Sequence, residues 1–286
     1  MNSLKGLETG FAEVNGTRLY YEVAGEGHPF ILNHSFLADK SSWDDQFSVF
    51  AQYYKVVRYD LRGFGSSGLI TEPYSPTEDL YTLLKFLGIE KTYLLGVSGS
   101  GAIAIDFTLE HPEMIDALIA VSSGLNGYQS PIEAGGEWPP EWKEFTEAKQ
   151  QGDNPKAAEA MLRYWIDGSK RPPEQVDPVL REGVRKTLIH NYSLANDPNS
   201  WGMLQSVEPP AITRLSDIHV PTLVIVGDKD EDDTLATADV LSTDIKGASK
   251  VAIANTTHHP QMEKPAEFNR VVLDFLALLP TKDGRS

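Results

Sequence analysis

The sequence predicts an α/β protein with a mostly parallel, doubly wound sheet, an antiparallel hairpin at its N-terminus and an inserted helical segment. Three observations predict this class. Short apolar runs of strand length recur along the chain, and helical patterns fall between most of them. Strand, helix and strand in succession imply parallel pairing. The stretch 125–215, which is rich in prolines and aromatic residues, interrupts the alternation.

The first predicted element is a hairpin. Asn15-Gly16 lies between two runs rich in β-forming residues, 11–14 and 18–23. Asn-Gly between such runs is a strong signal for a tight turn. The later apolar runs are predicted to be strands that are covered on both faces: 30–33, 55–60, 93–97, 117–121, 221–227 and 250–254.

Two helices are predicted from their end signals and apolar spacing. Ser75 is followed by Pro76 and, three residues after the serine, by Glu78, which forms a capping box. Leucines then recur on one face until Gly88, where the helix is predicted to stop. A second helix is predicted to start at about Pro265, again with apolar residues at helical spacing.

Residues 125–215 are predicted to form a helical cap, inserted into a core domain made of 1–124 and 216–286. Proline pairs divide this cap into short helical pieces. It contains four of the five tryptophans of the chain, Trp138, Trp142, Trp165 and Trp201. These side chains either pack the cap onto the sheet or line an apolar substrate pocket, and we keep them as candidate pocket residues.

Charge and composition exclude several classes of function. With 25 Lys and Arg against 41 Asp and Glu, the formal net charge is −16, which repels nucleic acid phosphates and anionic lipid headgroups. The absence of cysteine excludes disulfides, thiolate metal sites and cysteine nucleophiles. The histidines show no metal-binding spacing, so we predict no metal and no cofactor. Without a signal peptide pattern or an apolar run of about 20 residues, we expect a cytoplasmic protein.

Two glycine-rich turns are candidates for a functional site. Gly63 to Gly68 reads G-x-G-x-x-G after a strand, which resembles a dinucleotide-binding turn. Such a turn must open directly into a helix so that its N–H groups meet a pyrophosphate. Here Leu69 to Tyr74, with Pro73, intervene before the next helix. We therefore interpret this segment as a tight turn that uses glycine for positive φ.

The second turn, Gly96 to Gly101, lies directly between a strand and a helical run. A serine on a sharp turn from strand to helix adopts a strained backbone, projects its Oγ from the sheet and requires small neighbours. Ser98 has Gly96 and Ser100 two positions away on either side. The helix N-terminus would also favour a developing oxyanion there. Ser100 is the rival nucleophile, but it would lie inside the helix.

A serine nucleophile needs a base and a group that orients the base. Asp230 follows the predicted strand 221–227, and His258 follows the predicted strand 250–254. Both lie at the carboxyl ends of parallel strands, where crevices form in open α/β sheets. The order serine, acid, histidine is the one expected for this arrangement.

With these motifs the chain resembles an α/β-hydrolase, of the branch that holds bacterial carboxylesterases and enol-lactone hydrolases. The resemblance covers about 17–123 and 218–279 and leaves the cap unmatched. It implies the α/β-hydrolase fold, with Ser98 as nucleophile, Asp230 as acid and His258 as base. It also implies that the backbone N–H groups of Phe36 and Gly99 form the oxyanion hole. The motifs that carry it are 33–36, 59–67, the Ser98 turn, 221–230 and 258–265.

The sequence departs from the family pattern at three positions. Ser35, Ser100 and Thr257 stand where the family usually has glycine, and each adds a side chain beside a predicted catalytic group. His259 competes with His258 as base, but the family pattern places the base two residues before the proline, which favours His258. The acidic residues around Asp230 are interpreted as a solvated loop rather than a cation site.

The sequence therefore predicts a cofactor-independent serine esterase that hydrolyses a small, neutral carboxylic ester through an acyl-enzyme. A lactone hydrolase with the same triad is one alternative. A hydrolase-like fold retained as a ligand-binding or signalling module, with little turnover, is another. It is supported by the three glycine replacements.

Overall fold

The computed structural model describes residues 6–129, 135–194 and 203–279, and it contains an eight-stranded sheet with helices on both faces. The strands are β1 Glu8–Val14, β2 Thr17–Ala24, β3 Pro29–Asn33, β4 Lys55–Tyr59, β5 Thr92–Val97, β6 Ile115–Val121, β7 Thr222–Gly227 and β8 Ser249–Ile253. The helices are α1 Asp44–Phe50, α2 Pro76–Phe86, α3 Gly99–Glu110, α4 Pro140–Gln150, α5 Asn154–Leu162, α6 Pro178–Leu194, α7 Asp232–Asp244, α8 Pro260–Glu263 and α9 Pro265–Ala277.

The strand order is β1-β2-β4-β3-β5-β6-β7-β8. β1 pairs antiparallel with β2, and β2 pairs antiparallel with β4, whereas every other pairing in the sheet is parallel. The hairpin turns through Asn15 and Gly16, which both have positive φ, at 44° and 71°. The predicted fold class is confirmed.

Two apolar layers bury the two faces of the sheet. Consecutive strand residues alternate between them, so Leu94 belongs to the layer under α2, α3 and α7, and Leu95 to the layer under α1 and α9. Trp43, Phe47 and Phe268 are fully or almost fully buried in the second layer. Burial on both faces explains why the parallel strands appear in the sequence as continuous apolar runs.

The predicted end signals of α2 are confirmed. Ser75 is the N-cap and accepts a hydrogen bond from the N–H of Glu78 at 3.3 Å, and Pro76 is the first helical residue. The helix ends at Phe86, and Gly88 follows with a φ of 66°. By contrast, α7 was not predicted. It begins at Asp232 and Asp233, in the stretch interpreted as a solvated loop, because acidic residues are stabilised at the positive end of a helix.

Between β6 and β7 the chain forms α4, α5 and α6, which pack around an apolar cluster of their own. Ala157, Ala160, Met161, Leu162 and Leu188 are buried in that cluster. α5 ends at Leu162 and continues as a π-helical turn, Arg163–Asp167. Across the described ranges, no helix combines the length and the apolar character needed to cross a membrane.

The Gly63 to Gly68 turn is part of the scaffold. The φ of Gly65 is 51°, and a Cβ there would collide with the carboxylate of Asp60, which accepts the N–H of Ser66 at 2.9 Å. Arg62 forms a buried ion pair with Asp79 of α2, at 2.7 and 2.9 Å. As the sequence interpretation required, no helix follows the glycines directly, because α2 begins only at Pro76.

Removing one partner of the Arg62–Asp79 pair should strongly destabilise the fold. Both side chains are buried, so Asp79→Ala leaves an unpaired guanidinium and should lower the free energy of unfolding by about 3–5 kcal/mol, measured by urea denaturation. The double change Arg62→Met with Asp79→Leu should recover most of that loss. Glu182→Ala, which breaks an exposed pair with Arg185, is the control. A loss from Asp79→Ala no larger than in the control would contradict the scaffold role.

Candidate active site

The ends of three parallel strands bring the predicted triad together. β5, β7 and β8 end at Val97, Gly227 and Ile253, all at the same edge of the sheet. The loops that follow them carry Ser98, Asp230 and His258. Residues that are far apart in the sequence therefore meet at one crevice.

Ser98 occupies a strained turn between β5 and α3. Its φ and ψ are 59° and −128°, and it is the N-cap of α3. A non-glycine residue at such a φ costs on the order of 1–3 kcal/mol and must be held in place by its surroundings. The N–H of Ser98 donates to Val121 O at 2.9 Å, and its carbonyl accepts the N–H groups of Gly101 and Gly124 at 2.9 and 3.0 Å.

Glycine is required on both sides of this serine. A Cβ on Gly96 would collide with the carbonyl of Ser100, and a Cβ on Gly101 would collide with the side chain of Ser123. The turn is therefore the arrangement the sequence predicts, in which close backbone approach excludes larger residues.

Ser98, His258 and Asp230 form a continuous hydrogen-bonded chain. The Oγ of Ser98 lies 2.8 Å from Nε2 of His258, and Nδ1 of His258 lies 3.1 Å from both carboxylate oxygens of Asp230. His258 and Asp230 are almost fully buried, whereas Ser98 is partly exposed. A serine hydroxyl beside an imidazole that is oriented by a carboxylate is the arrangement that generates a nucleophile.

The loops that carry Asp230 and His258 are packed directly on each other. Lys229 N–H donates to Thr256 O at 2.9 Å, and Glu231 N–H donates to the Asp230 carboxylate at 2.9 Å. A Cβ on Gly227 would collide with the carbonyls of Thr256 and Thr257. This close approach fixes the separation of Asp230 and His258.

An aromatic side chain from the segment between β6 and β7 covers His258. The ring of Trp165 lies 4.0 Å from that of His258, centroid to centroid, at an interplanar angle of 38°. Trp165 belongs to the π-helical turn after α5, a type of irregularity that is frequent at functional sites. The contact shields one face of the imidazole from solvent.

Thr257, one of the three departures from the family pattern, connects the same segment to the loop that carries His258. Its Oγ1 lies 3.1 Å from Ile166 O and 2.8 Å from a carboxylate oxygen of Glu263, which also accepts the Thr257 N–H at 2.8 Å. Arg171 pairs with Glu263 and donates to Thr257 Oγ1 at 3.2 Å. The threonine, which directly precedes His258, thus links the segment between β6 and β7 to the loop that carries this histidine.

Ser100 and Ser35, the other two departures from the family pattern, form hydrogen bonds in the loop that contains Phe36. Ser100 is fully buried, and its hydroxyl donates to His34 O at 2.5 Å, which removes it from contact with His258. Ser35 Oγ accepts the N–H of Leu37 at 3.3 Å and lies 2.8 Å from Nε2 of His259. His259 therefore pairs with Ser35, and His258 alone bridges Ser98 and Asp230.

Two buried histidines beside the site are held neutral. His34 Nε2 accepts the N–H of Leu61 at 2.9 Å, which leaves Nδ1 to donate to Ser35 O at 2.8 Å. Burial lowers the pKa of His34. Burial, together with the neighbouring His258, lowers the pKa of His259 well below its usual value.

The candidate pocket tryptophans occupy different positions. Trp165 contacts His258, and Trp142 packs edge-on against Trp165 with centroids 6.3 Å apart. Trp138 contacts Trp142 at the outside and is 55% exposed. Trp201 lies outside the described residues. A cavity of about 230 Å³ lies on the other side of the site, beside Phe36 and Gly99, and none of the three described tryptophans lines it.

Comparison with known proteins identifies the family of this chain. Residues 28–265 match the sequence model of a family described as alpha/beta hydrolase fold. The chain belongs to this family. The match spans the three loops that carry Ser98, Asp230 and His258, and the predicted resemblance is thereby confirmed.

Individual relatives differ in what they are named for. The chain is 27% identical over 292 residues to a proline iminopeptidase of Saccharolobus solfataricus, covering 94% of this chain and 92% of that protein. It is 25% identical over 294 residues to a 2-hydroxy-6-oxo-6-phenylhexa-2,4-dienoate hydrolase of Comamonas testosteroni, covering 96% of each. The structure of an enol-lactonase from Burkholderia xenovorans aligns with a TM-score of 0.77 at 26% identity, covering 94% of this chain and 100% of that chain. The chain is therefore a hydrolase of this fold.

The two buried neutral histidines should make this α/β hydrolase less stable as the pH is lowered from about 7.5 to 5. Asp106 should act in the opposite direction, because burial raises its pKa to about 7 and the folded state binds that proton first. Unfolded histidines bind protons below about 6.5, whereas His34 and His259 resist protonation in the folded state, so the unfolded state binds more protons. His259→Gln removes one of the two, so lowering the pH over this range should change the free energy of unfolding, measured by urea denaturation, less unfavourably than in the wild type. His219→Gln, at an exposed site, should leave it unchanged. The same pH dependence in all three proteins would contradict the buried neutral state of His259.

Proposed function

We propose that this protein is a serine esterase that cleaves small, neutral carboxylic esters through an acyl-enzyme. The observation that carries the proposal is the chain from Ser98 Oγ through both nitrogens of His258 to Asp230, at 2.8 and 3.1 Å. Each link lies within the distance that proton transfer and imidazole orientation require. A module that only bound a ligand would gain nothing from this arrangement.

In the acylation step, Ser98 Oγ attacks the ester carbonyl and its proton passes to His258 Nε2. Asp230 holds the imidazole in the required orientation and stabilises the imidazolium. The carbon to alkoxide bond then breaks, and His258 returns the proton to the leaving oxygen. Water attacks the acyl-enzyme by the same route, so the products are the acid, the alcohol and the free serine. With a lactone, the alcohol would remain attached to the acyl group.

The oxyanion would accept hydrogen bonds from the N–H groups of Gly99 and Phe36. Gly99 is the first residue of α3, and the N–H groups of a first helical turn have no partner within the helix. Phe36 lies on the facing loop, where its ring occupies the space that a Cβ on Gly99 would need. The hydroxyls of Ser35 and Ser100 support that loop, which favours a formed rather than a disrupted oxyanion hole.

Fluorophosphonate labelling tests the triad without knowledge of the substrate. The reagent reacts with a serine that a base activates and whose phosphoryl oxygen finds N–H donors. Peptide mapping of the wild-type protein should place the adduct on Ser98. Ser98→Ala should abolish labelling and esterase activity, and His258→Ala should lower kcat by about 10⁴-fold or more.

The rival residues supply the controls for this experiment. Ser100→Gly, a change toward the family pattern, should still be labelled on Ser98, because the Ser100 hydroxyl points to His34 O. His259→Gln should also retain the adduct. An adduct on Ser100 would overturn the assignment of the nucleophile. A folded wild-type protein that neither labels nor hydrolyses short aryl esters would favour the binding module.

A second prediction concerns the charge of the acyl group. The net charge of −16 should disfavour anionic acyl groups, and the effect should weaken with salt, since surface fields are screened within about 10 Å at 0.1 M. The phenyl ester of butyrate should therefore have a higher kcat/KM than the phenyl half-ester of succinate, with a smaller ratio at high salt. A preference for the half-ester would show that a local basic group overrides the net charge.

A further inference from the structure

The cavity beside the predicted oxyanion hole is mainly apolar, with one carboxylate, that of Asp106, in its lining. Its volume of about 230 Å³ exceeds that of a cavity of about 150 Å³ in another protein that holds a benzene molecule. Gly99, Ala102, Ile103 and Asp106, at helical spacing, form one wall along a single face of α3. The start of α2 and residues 204–207 form the others.

This cavity lies on the acyl side of the proposed reaction. His258 must reach the leaving oxygen to protonate it, so the leaving group lies beside His258. The cavity is lined by Phe36 and Gly99 but by no residue of the loops that carry Asp230 and His258. An ester whose carbonyl oxygen contacts Phe36 and Gly99 would therefore extend its acyl chain into this space.

Asp106 lines the cavity with hydrogen-bonding capacity that the described residues do not fill. The residue is 8% exposed. Its Oδ2 accepts one long bond, 3.5 Å from Nδ2 of Asn126, and that Nδ2 makes a shorter bond of 2.8 Å to Val207 O. Oδ1 is buried and has no hydrogen-bond partner in the described part of the chain. A carboxylate accepts up to about four hydrogen bonds, so a buried one with a single weak bond favours an added donor.

The electrostatic environment of Asp106 supports a role in binding. Burial raises its pKa to about 7, with Glu110 raising it further and Asn126 and Arg214 opposing the shift. A strongly shifted carboxyl group in a crevice is a feature of functional sites. Asp106 lies seven residues, or about 10 Å of helix, beyond Gly99, and its side chain tilts back toward the N-terminus. That span suits an acyl chain of moderate length.

We propose that Asp106 binds a hydrogen-bond donor on the far end of the acyl chain, either a hydroxyl or a protonated amine. The inference rests on the proposed esterase function and specifies its substrate class. The apolar wall formed by Ala102, Ile103 and Leu125 would contact the methylene groups, while Asp106 would recognise the polar end. A site built to accept a hydrogen bond discriminates against an analogue that lacks the donor.

Three phenyl esters with the same leaving group test this assignment: hexanoate, 6-hydroxyhexanoate and 6-aminohexanoate. Wild-type kcat/KM at pH 8 should be about 10–100-fold higher for the hydroxyl or the amino ester than for hexanoate, the range expected for a hydrogen bond to a charged group. Asp106→Leu should abolish this ratio. Asp106→Asn keeps an acceptor and should retain part of a hydroxyl preference but lose an amine preference. Preference for the amine should also fall between pH 8 and 6 as Asp106 gains its proton.

Glu110→Gln is the matched control, because it removes a neighbouring negative charge on the same helix outside the cavity lining. Its ratio of kcat/KM for a substituted ester to kcat/KM for hexanoate should equal that of the wild type. An equal loss of this ratio in Glu110→Gln and Asp106→Leu would contradict direct contact between Asp106 and the substrate. Wild-type hydrolysis of hexanoate without preference for either substituted ester would overturn this inference and leave the esterase intact. Failure to hydrolyse any ester, together with failure to label, would overturn the esterase itself. If the Asp106 variants do not fold, the wild-type preference among the three esters still tests whether the site recognises a hydrogen-bond donor on the acyl chain.

Discussion

The left-handed backbone of Ser98 is the constraint on which the rest of the site depends. At a φ of 59° the serine turns the chain from β5 into α3 within one residue. That turn places its Oγ above the sheet edge and the start of α3 beside it. It is possible only because Gly96 and Gly101 allow close approach of the backbone and of Ser123. The carbonyl of Ser98, which accepts two N–H groups, helps to hold the strained conformation.

Glycine also permits a close backbone approach beside Asp230 and His258. Gly227 ends β7 where the backbone of Thr256 and Thr257 leaves no room for a Cβ. Asp230 and His258 are therefore positioned by contact between their loops as well as by the sheet. Steric exclusion at glycine, more than attraction between side chains, sets the geometry of both halves. Such exclusion is rigid, and rigid support is what a preorganised site requires.

Much of this architecture could be predicted from the sequence, because the signals are local. The Asn15-Gly16 turn, the Ser75 cap and the apolar runs of buried parallel strands each depend on a few neighbouring residues. The convergence of Ser98, Asp230 and His258 followed from their places after parallel strands. The stacking of Trp165 on His258 and the pairing of Ser35 with His259 could not be predicted, because no local pattern specifies which distant segments come into contact. The π-helical turn that presents Trp165 is likewise an effect of tertiary packing.

The attachment of the segment between β6 and β7 has a consequence for how such proteins can be recombined. Among the described residues, its hydrogen bonds and ring contacts with the loops of Asp230 and His258 come from one short stretch. Trp165 contacts His258, Ile166 and Arg171 contact Thr257, and Ser169 and Lys170 contact the Asp230 loop. The helices on either side pack mainly on each other around Met161 and Leu188. A chimaera that received a foreign insertion would therefore need 165–171 retained or replaced by an equivalent set. Asn191 of α6 would also have to be retained, because it accepts the N–H of Gly65 at 3.1 Å and donates to Ala38 O at 2.9 Å.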